Sequence, residues 1–194
     1  ESIKKFLGYT NIIRTNGSHN TIEWHEKISK VIKKLNPKAV HLLDIPGVKP
    51  RTANSKKISI NKGETILFHY GKVKKTSFRS VLLTKPLPPI TSKNKEFSLS
   101  DGQYFFTVQK FGKNYILGKS ISKFVLYPQK GLNIPGAVYN NKLQLLHYKT
   151  FLEKCKNIDF DVIGLSYIQS YVIVKKIRQL YRDKIIVSKI ENKE

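Results

Sequence analysis

Near both ends of this chain, short apolar runs alternate with stretches of helical period. In the middle the apolar positions recur every second residue between turn signals. The first stretch, to Tyr9, reads as the tail of a helix that stops near Gly8. Residues 11–16 (NIIRTN) read as a strand. Asn20, with Glu23 three residues later, has the form of a capping box, and Ile22, Ile28, Val31, Ile32 and Leu35 keep helical spacing up to the stop at Asn36-Pro37. Ala39 to Asp44 is a second strand, so the opening is a β-α-β unit with a right-handed crossover expected.

After Arg51 the period changes. From Ser55 to about Tyr127 come KISI, NKGETILFHYG, SFRSVLL, a proline-rich break at KPLPP, and FSLSDGQYFFTVQKFGKNYILGKS, with SDG and FGKN as turns. This predicts a small β domain inserted into an α/β domain. The α/β pattern resumes at about Lys130: a helix around Leu143–Lys156, a strand at 161–166, a helix from Ser170 to Tyr181 and a strand at 184–190. The division expected is 1–52 and 129–194 for the α/β part and 53–128 for the β insert. Four strands with their helices amount to half of an eight-stranded barrel. Half a barrel leaves open sheet edges, so the pattern predicts a protein that continues past at least one end. The lack of an initial methionine fits that expectation.

The four predicted parallel strands end in polar residues: Arg14 and Asn16, Asp44, Ser166, and Lys189 with Glu191. Carboxyl ends of parallel strands form the ligand rim of such folds. Lys189 and Glu191 lie two apart and share a strand face. A lysine there can stabilise charge on a phosphoryl group or an enolate, and a carboxylate can hold Mg²⁺. The same spacing fits an ordinary strand-end ion pair, and the residues alone leave both open. Arg14 suits bidentate recognition of phosphate; taken alone, these residues fit better a solvated turn whose Asn16 and Ser18 satisfy local backbone groups. Asp44, at the end of a buried strand, needs a partner, and Lys49 and Arg51 follow closely enough to supply one.

Charge and composition alter this picture little. Thirty-six Lys and Arg against 13 Asp and Glu give a net +23, which predicts attraction to polyanions. The lysines are spread along the chain, however, with no basic arm. Cys155 is alone, so no internal disulfide can form, and it is expected to be an inert thiol. His25, His41, His69 and His147 have no metal-ligand spacing and read as surface or satisfied core residues. No apolar run is long enough to span a membrane. Tyr104, Phe105 and Phe106 are consecutive and point to both faces of a strand. They read as core plus one exposed ring, and not as a base-stacking platform.

Six segments carry a resemblance: IRTNGSH, LLDIPGVKPRT, SLSDGQYFFTV, QKGLNIPGA, GLSYIQ and VSKIEN. In this order and over nearly the whole chain, they resemble the pyruvate kinase family. The resemblance implies part of a TIM (β/α)8 barrel, strands two to five, with a small all-β lid domain inserted after the third barrel strand. It implies Mg²⁺-dependent (or Mn²⁺-dependent) transfer of a phosphoryl group from phosphoenolpyruvate to ADP, giving pyruvate and ATP, in a cytoplasmic homo-oligomer. By the same resemblance Lys189 is catalytic and binds substrate, Arg14 binds the substrate phosphate, and Glu191 is a Mg²⁺ ligand. Asn16, His19, Arg51 and Lys130 match nucleotide-binding positions. Asn16, Ser18 and Asp44 match a monovalent-cation site. The second Mg²⁺ ligand is expected beyond this stretch, which alone would be incomplete for activity.

The chain also departs from the family pattern. Ile45 and Lys49 stand where potassium-dependent members carry threonine and glutamate. The Lys49 ammonium is placed to replace potassium, so activity without added potassium is expected. Pro46, Asn20 and Gln169 replace a lysine, a glycine and an arginine. Two other readings follow: an inactive relative that binds a phosphorylated metabolite, and, ranked last, a basic nucleic-acid-binding protein.

Overall fold

The computed structural model describes residues 2–72 and 76–191. The expected start of the first helix at Glu1, residues 73–75 of the β insert and residues 192–194 lie outside the described residues. Along the chain the elements are α1 (Ser2–Leu7), β1 (Ile12–Asn16), α2 (Ile22–Leu35), β2 (Val40–Ile45), β3 (Ile58–Ile60), β4 (Thr65–His69), β5 (Arg79–Leu82), β6 (Glu96–Leu99), β7 (Tyr104–Gly112), β8 (Tyr115–Ser120), β9 (Phe124–Leu126), β10 (Leu132–Asn133), α3 (Asn141–Lys154), β11 (Val162–Leu165), α4 (Tyr171–Leu180) and β12 (Ile185–Ser188). They fall into two compact units. One runs to Val48 and resumes at Asn140; the other is Lys49–Tyr139.

The first unit is α/β. Its sheet has the order β1-β2-β11-β12, with every neighbouring pair parallel. Among the described residues this sheet is open and four-stranded, and no closed barrel forms. Leu43 and Ile45 of β2 and Ile163 and Leu165 of β11 pack against Tyr148 and Leu152 of α3 and Ile173 and Ile177 of α4. Strand alternation therefore turns Asp44 and Gly164, partners in register, to the opposite face. Helix α2 begins differently from its predicted form. Asn20 adopts a left-handed backbone (φ 61°) and Thr21 is the N-cap, its side chain accepting from the Trp24 N–H. A cap must be extended while its oxygen reaches back. Thr21 meets that condition, and Asn20, a residue that tolerates φ > 0, makes the turn before it. Asn36 closes the helix as expected.

Beneath β1 and β2 lies a buried polar layer. His41 bridges the Thr15 hydroxyl (2.9 Å) and the Asp159 carbonyl (3.0 Å). Asp161 accepts from the His41 N–H and the Lys33 ammonium. His25 donates to the His19 carbonyl, and His147 to the Pro46 carbonyl. His41 is bonded through both ring nitrogens, whereas the buried His25 Nδ1 is left without a hydrogen-bond partner. Cys155 is buried at the end of α3, and burial pushes its thiol up to about 11.

The second unit holds a six-stranded sheet, β10-β6-β7-β8-β4-β5, and the pair β3-β9. Its mainly aliphatic core holds an aromatic cluster: Phe97 stacks on Phe106 at 4.9 Å, and Phe68 meets both edge-on. Phe106 is fully buried, Phe105 exposed, and Tyr104 stacked on Phe124, as strand alternation predicts. Ser100, Asp101 and Gly102 form a left-handed turn between β6 and β7, and Lys113-Asn114 joins β7 to β8. The segment from Pro50 to Ala53 forms a ribbon with two others. Leu132 N–H donates to the Pro50 carbonyl and Thr52 N–H to the Lys130 carbonyl on one side; Ala53 N–H donates to the Leu82 carbonyl on the other.

Candidate active site

The carboxyl ends of β1, β2, β11 and β12 converge on one carboxylate. Asp44 is 1% exposed. Its Oδ2 accepts from Arg14 through Nε (2.8 Å) and Nη2 (2.5 Å). Its Oδ1 accepts from the Ser166 hydroxyl at 2.8 Å. The Lys189 ammonium lies 3.1 Å from Oδ2 and 3.0 Å from the Ser166 Oγ. It also pairs with the Glu191 carboxylate at 3.2 Å. Gly164, the register partner of Asp44, lies close against it: a Cβ there would stand 3.1 Å from the Leu42 side chain and 3.3 Å from the Asp44 Cα.

Burial by itself would raise the Asp44 carboxyl. The bonds from Arg14, Ser166 and Lys189 outweigh it and hold the group below the usual carboxylate range. Asp44 is thus ionised and faces two cations. Arg14 and Lys189 keep part of their surface open, with side chains 51% and 36% exposed. The arrangement is an anchored pair of cations at a sheet edge beside a second carboxylate. It can hold a phosphate dianion and stabilise charge that develops next to Lys189.

The sequence offers Lys49 and Arg51 as partners of Asp44, and here the structure corrects it: Asp44 takes Arg14, Ser166 and Lys189. A parallel sheet unites residues by lateral position, not by nearness along the chain. Lys49 belongs to the second unit, where its ammonium lies 3.3 Å from Asp101 and its stem runs across Gly131. Arg51, in the same unit, donates to the Gln129 carbonyl, and the Lys130 N–H donates to the Thr52 hydroxyl. Asn16 closes a turn, its Oδ1 accepting from the Ser18 N–H at 3.0 Å; the His19 N–H donates to the Asn16 carbonyl. The geometry thus gathers Arg14, Asp44, Lys189 and Glu191, with Asn16 at the end of β1 and Ser18 and His19 on the loop that follows.

Ser166 was visible in the sequence only as a polar strand end, without a role. That position was the available signal. Among the described residues there is no group of three or more His, Cys, Asp or Glu that could hold a metal ion. Glu191 is thus a single carboxylate here that could supply one oxygen ligand to a divalent cation, an ion that takes several such ligands. Among the described residues no helix is long and apolar enough to cross a membrane.

The comparison with known proteins decides the family. The family model of the pyruvate kinase barrel domain matches residues 1–194. The chain belongs to the pyruvate kinase family. It is 28% identical over 204 residues to a pyruvate kinase of Thermococcus litoralis, covering 98% of this chain and 42% of that protein. It is 28% identical to those of Buchnera aphidicola, over 98% of this chain and 42% of the relative, and of Eimeria tenella, over 95% and 37%. The chain thus spans about two fifths of the length of these pyruvate kinases.

Proposed function

We propose that this chain is the part of a pyruvate kinase that carries the phosphoryl-side machinery, within a TIM barrel whose second unit is the inserted lid. The reaction is transfer from phosphoenolpyruvate to ADP. The bond between phosphorus and the enol oxygen breaks, a bond from phosphorus to the terminal ADP oxygen forms, and the enolate takes a proton to give pyruvate. The observation that carries the reading is the meeting of Arg14, Ser166 and Lys189 on the buried Asp44, in a chain matched from end to end by the family.

In this reading Arg14 binds the substrate phosphate as a fork. Lys189 binds it too and faces the charge that develops on the transferring group and the enolate oxygen. Asp44 orients both cations. Such chemistry is positioning plus electrostatics. Glu191 would hold Mg²⁺, which when bound offsets phosphate charge. Asn16, His19, Arg51 and Lys130 serve the nucleotide. A homo-oligomer in the cytoplasm follows from the same resemblance.

Potassium is not required in this reading. The Asn16 Oδ1 is bonded to Ser18 N–H, and both Asp44 oxygens accept from protein donors, which supports a monovalent-cation site filled by the protein's own groups. Lys49 brings a further ammonium into the chain where potassium-dependent members carry glutamate.

The test is pyruvate formation by the full-length protein with Mg²⁺, with and without potassium, beside Lys189→Ala. Turnover that requires Lys189 and ignores potassium is expected. Strict potassium dependence would sink the second part. Absence of turnover in folded protein would sink the first, and would favour a non-catalytic relative that binds a phosphorylated metabolite.

A further inference from the structure

β11 and β12 keep a regular parallel register as far as Leu165 and Ser188, and the Lys189 N–H donates to the Leu165 carbonyl at 2.9 Å. In an unbroken ladder the Tyr167 N–H would return to the Lys189 carbonyl. The Ile168 N–H makes that bond instead, at 3.0 Å. One extra residue is therefore inserted beside Lys189, in a turn at Ser166–Tyr167 just past the end of β11 that acts as a bulge and, like one, re-aims side chains. Tyr167 takes a left-handed backbone (φ 63°), which is costly for a bulky residue and persists only where its surroundings hold it. On the β2 side Ser166 N–H still donates to the Ile45 carbonyl, so the irregularity is confined to the edge that faces Lys189.

Helix α3 supplies what holds it. The Tyr148 hydroxyl donates to the Ser166 carbonyl at 2.5 Å, and the Gln144 Nε2 donates to the Tyr167 carbonyl at 3.0 Å. Both side chains are completely buried. Buried polar groups on a core-facing helix are costly unless bonded; here the Tyr148 hydroxyl and the Gln144 amide nitrogen are spent on the two carbonyls of the bulge, while the buried Gln144 Oε1 is left without a hydrogen-bond partner. Gly47 closes the other side: a Cβ there would stand 2.8 Å from that of Tyr167 and 3.0 Å from the Ser166 carbonyl oxygen.

We propose that Tyr148 and Gln144 are positioning residues for the phosphoryl site, holding the 166–167 bulge so that the Ser166 hydroxyl meets Asp44 and Lys189. Through Ser166 they fix where the Lys189 ammonium stands. The consequence for turnover rests on the phosphotransfer reading above; the bulge and its two braces do not.

Two measurements on the full-length protein test this. The first is a kinetic cycle of Tyr148→Phe, Ser166→Ala and the double variant. If Tyr148 acts through Ser166, Tyr148→Phe lowers kcat with phosphoenolpyruvate and ADP by about tenfold, and adding Ser166→Ala costs less than about twofold more. Losses that multiply, or kinetic constants unchanged in Tyr148→Phe, overturn the proposal. The second is amide exchange at Ile168, with the Ile163 amide as control. Tyr148→Phe and Gln144→Met should each speed Ile168 by about tenfold or more and leave Ile163 unchanged. Unchanged Ile168 exchange in folded variants overturns the proposal even if the protein proves to have no kinase activity, in which case the phosphotransfer reading fails separately. Gln144→Met keeps the volume while removing the donor, and replaces Tyr148→Phe in both comparisons should that variant not fold.

Discussion

The Lys189 ammonium touches both carboxylate oxygens of Asp44, at 3.1 and 3.4 Å, across a sequence separation of 145 residues. Arg14 occupies Oδ2 from the other side, so one buried negative charge keeps two cations together. Asp44→Ala would leave them facing one another. A fully buried pair broken in this way costs about 3–5 kcal/mol. Because Arg14 and Lys189 are partly exposed, solvent screening reduces the expected loss to about 1–3 kcal/mol. Urea unfolding measures it, and a midpoint equal to that of the parent would refute the coupling.

The same carboxylate sets an acid limit. The Asp44 carboxyl titrates below the ordinary 3.8 when folded. Between its folded value and 3.8 the unfolded chain binds a proton that the folded chain does not, so stability rises with pH. Its contribution is present above 3.8 and lost as pH falls through the folded value. Asp44→Asn should show a shallower fall in stability below pH 4 than the parent. Equal slopes in acid unfolding would count against the Arg14–Asp44–Lys189 cluster.

His41 predicts a second step, at higher pH. Burial lowers its imidazole below 6.5, helped by His25 and Lys33 and opposed by the Asp159 carbonyl and the Asp161 carboxylate. The unfolded chain therefore protonates first as pH falls. Stability from neutral His41 is intact above 6.5 and declines from there toward the folded value. The thermal midpoint of the parent should drop between pH 7 and 5, and His41→Gln should remove much of that drop. A parent midpoint that is flat over this range would refute the assignment.

Gly17 lies where β1 leaves the sheet. A Cβ there would stand 2.7 Å from the Phe151 ring and 2.9 Å from the Asp44 carbonyl oxygen. The ring can swing, but the carbonyl is backbone and accepts from the Gly17 N–H at 2.8 Å. Gly17→Ala is expected to cost about 1–3 kcal/mol by overpacking and to disturb the site through Asp44. Calorimetry and a kinetic assay check both.

In the second unit the cost is one of cavity formation. Phe106 is fully buried between Phe97 and Phe68, and Phe106→Ala should destabilise by about 3–5 kcal/mol. Phe105→Ala, one residue earlier on the exposed face, should change stability by less than about 1 kcal/mol. Comparable losses in the two variants, measured by denaturant titration, would contradict the alternation.

The polar strand ends were legible because a parallel α/β pattern places its ligand rim there, and Arg14, Asp44 and Lys189 do meet. Their pairing was not legible. A one-dimensional reading weights sequence proximity and so offers Lys49 and Arg51 to Asp44, whereas the sheet brings Lys189 at the end of β12 to it. The cap of α2 was misplaced by one residue because Asn20 and Thr21 are both good caps, and only the backbone angle separates them. Tyr148 and Gln144 left no readable signal. Their value depends on two carbonyls freed by a bulge, and nothing in the local sequence marks Tyr167 as left-handed.

The ribbon that joins Pro50–Ala53 to Lys130–Leu132 bears on how the chain can fold. His41 and Asp161 must find each other across 120 residues, a slow search for a free polymer. The contact between Thr52 and Lys130 closes 78 of those residues. Once the second unit has formed, its two strands of entry and exit run side by side. The loop still to be closed between His41 and Asp161 then shrinks to about 42 residues, which lowers its closure cost by about 1 kcal/mol. The inserted unit is in this sense a clasp: its own collapse shortens the search that brings the parallel sheet, and with it Asp44 and Lys189, together.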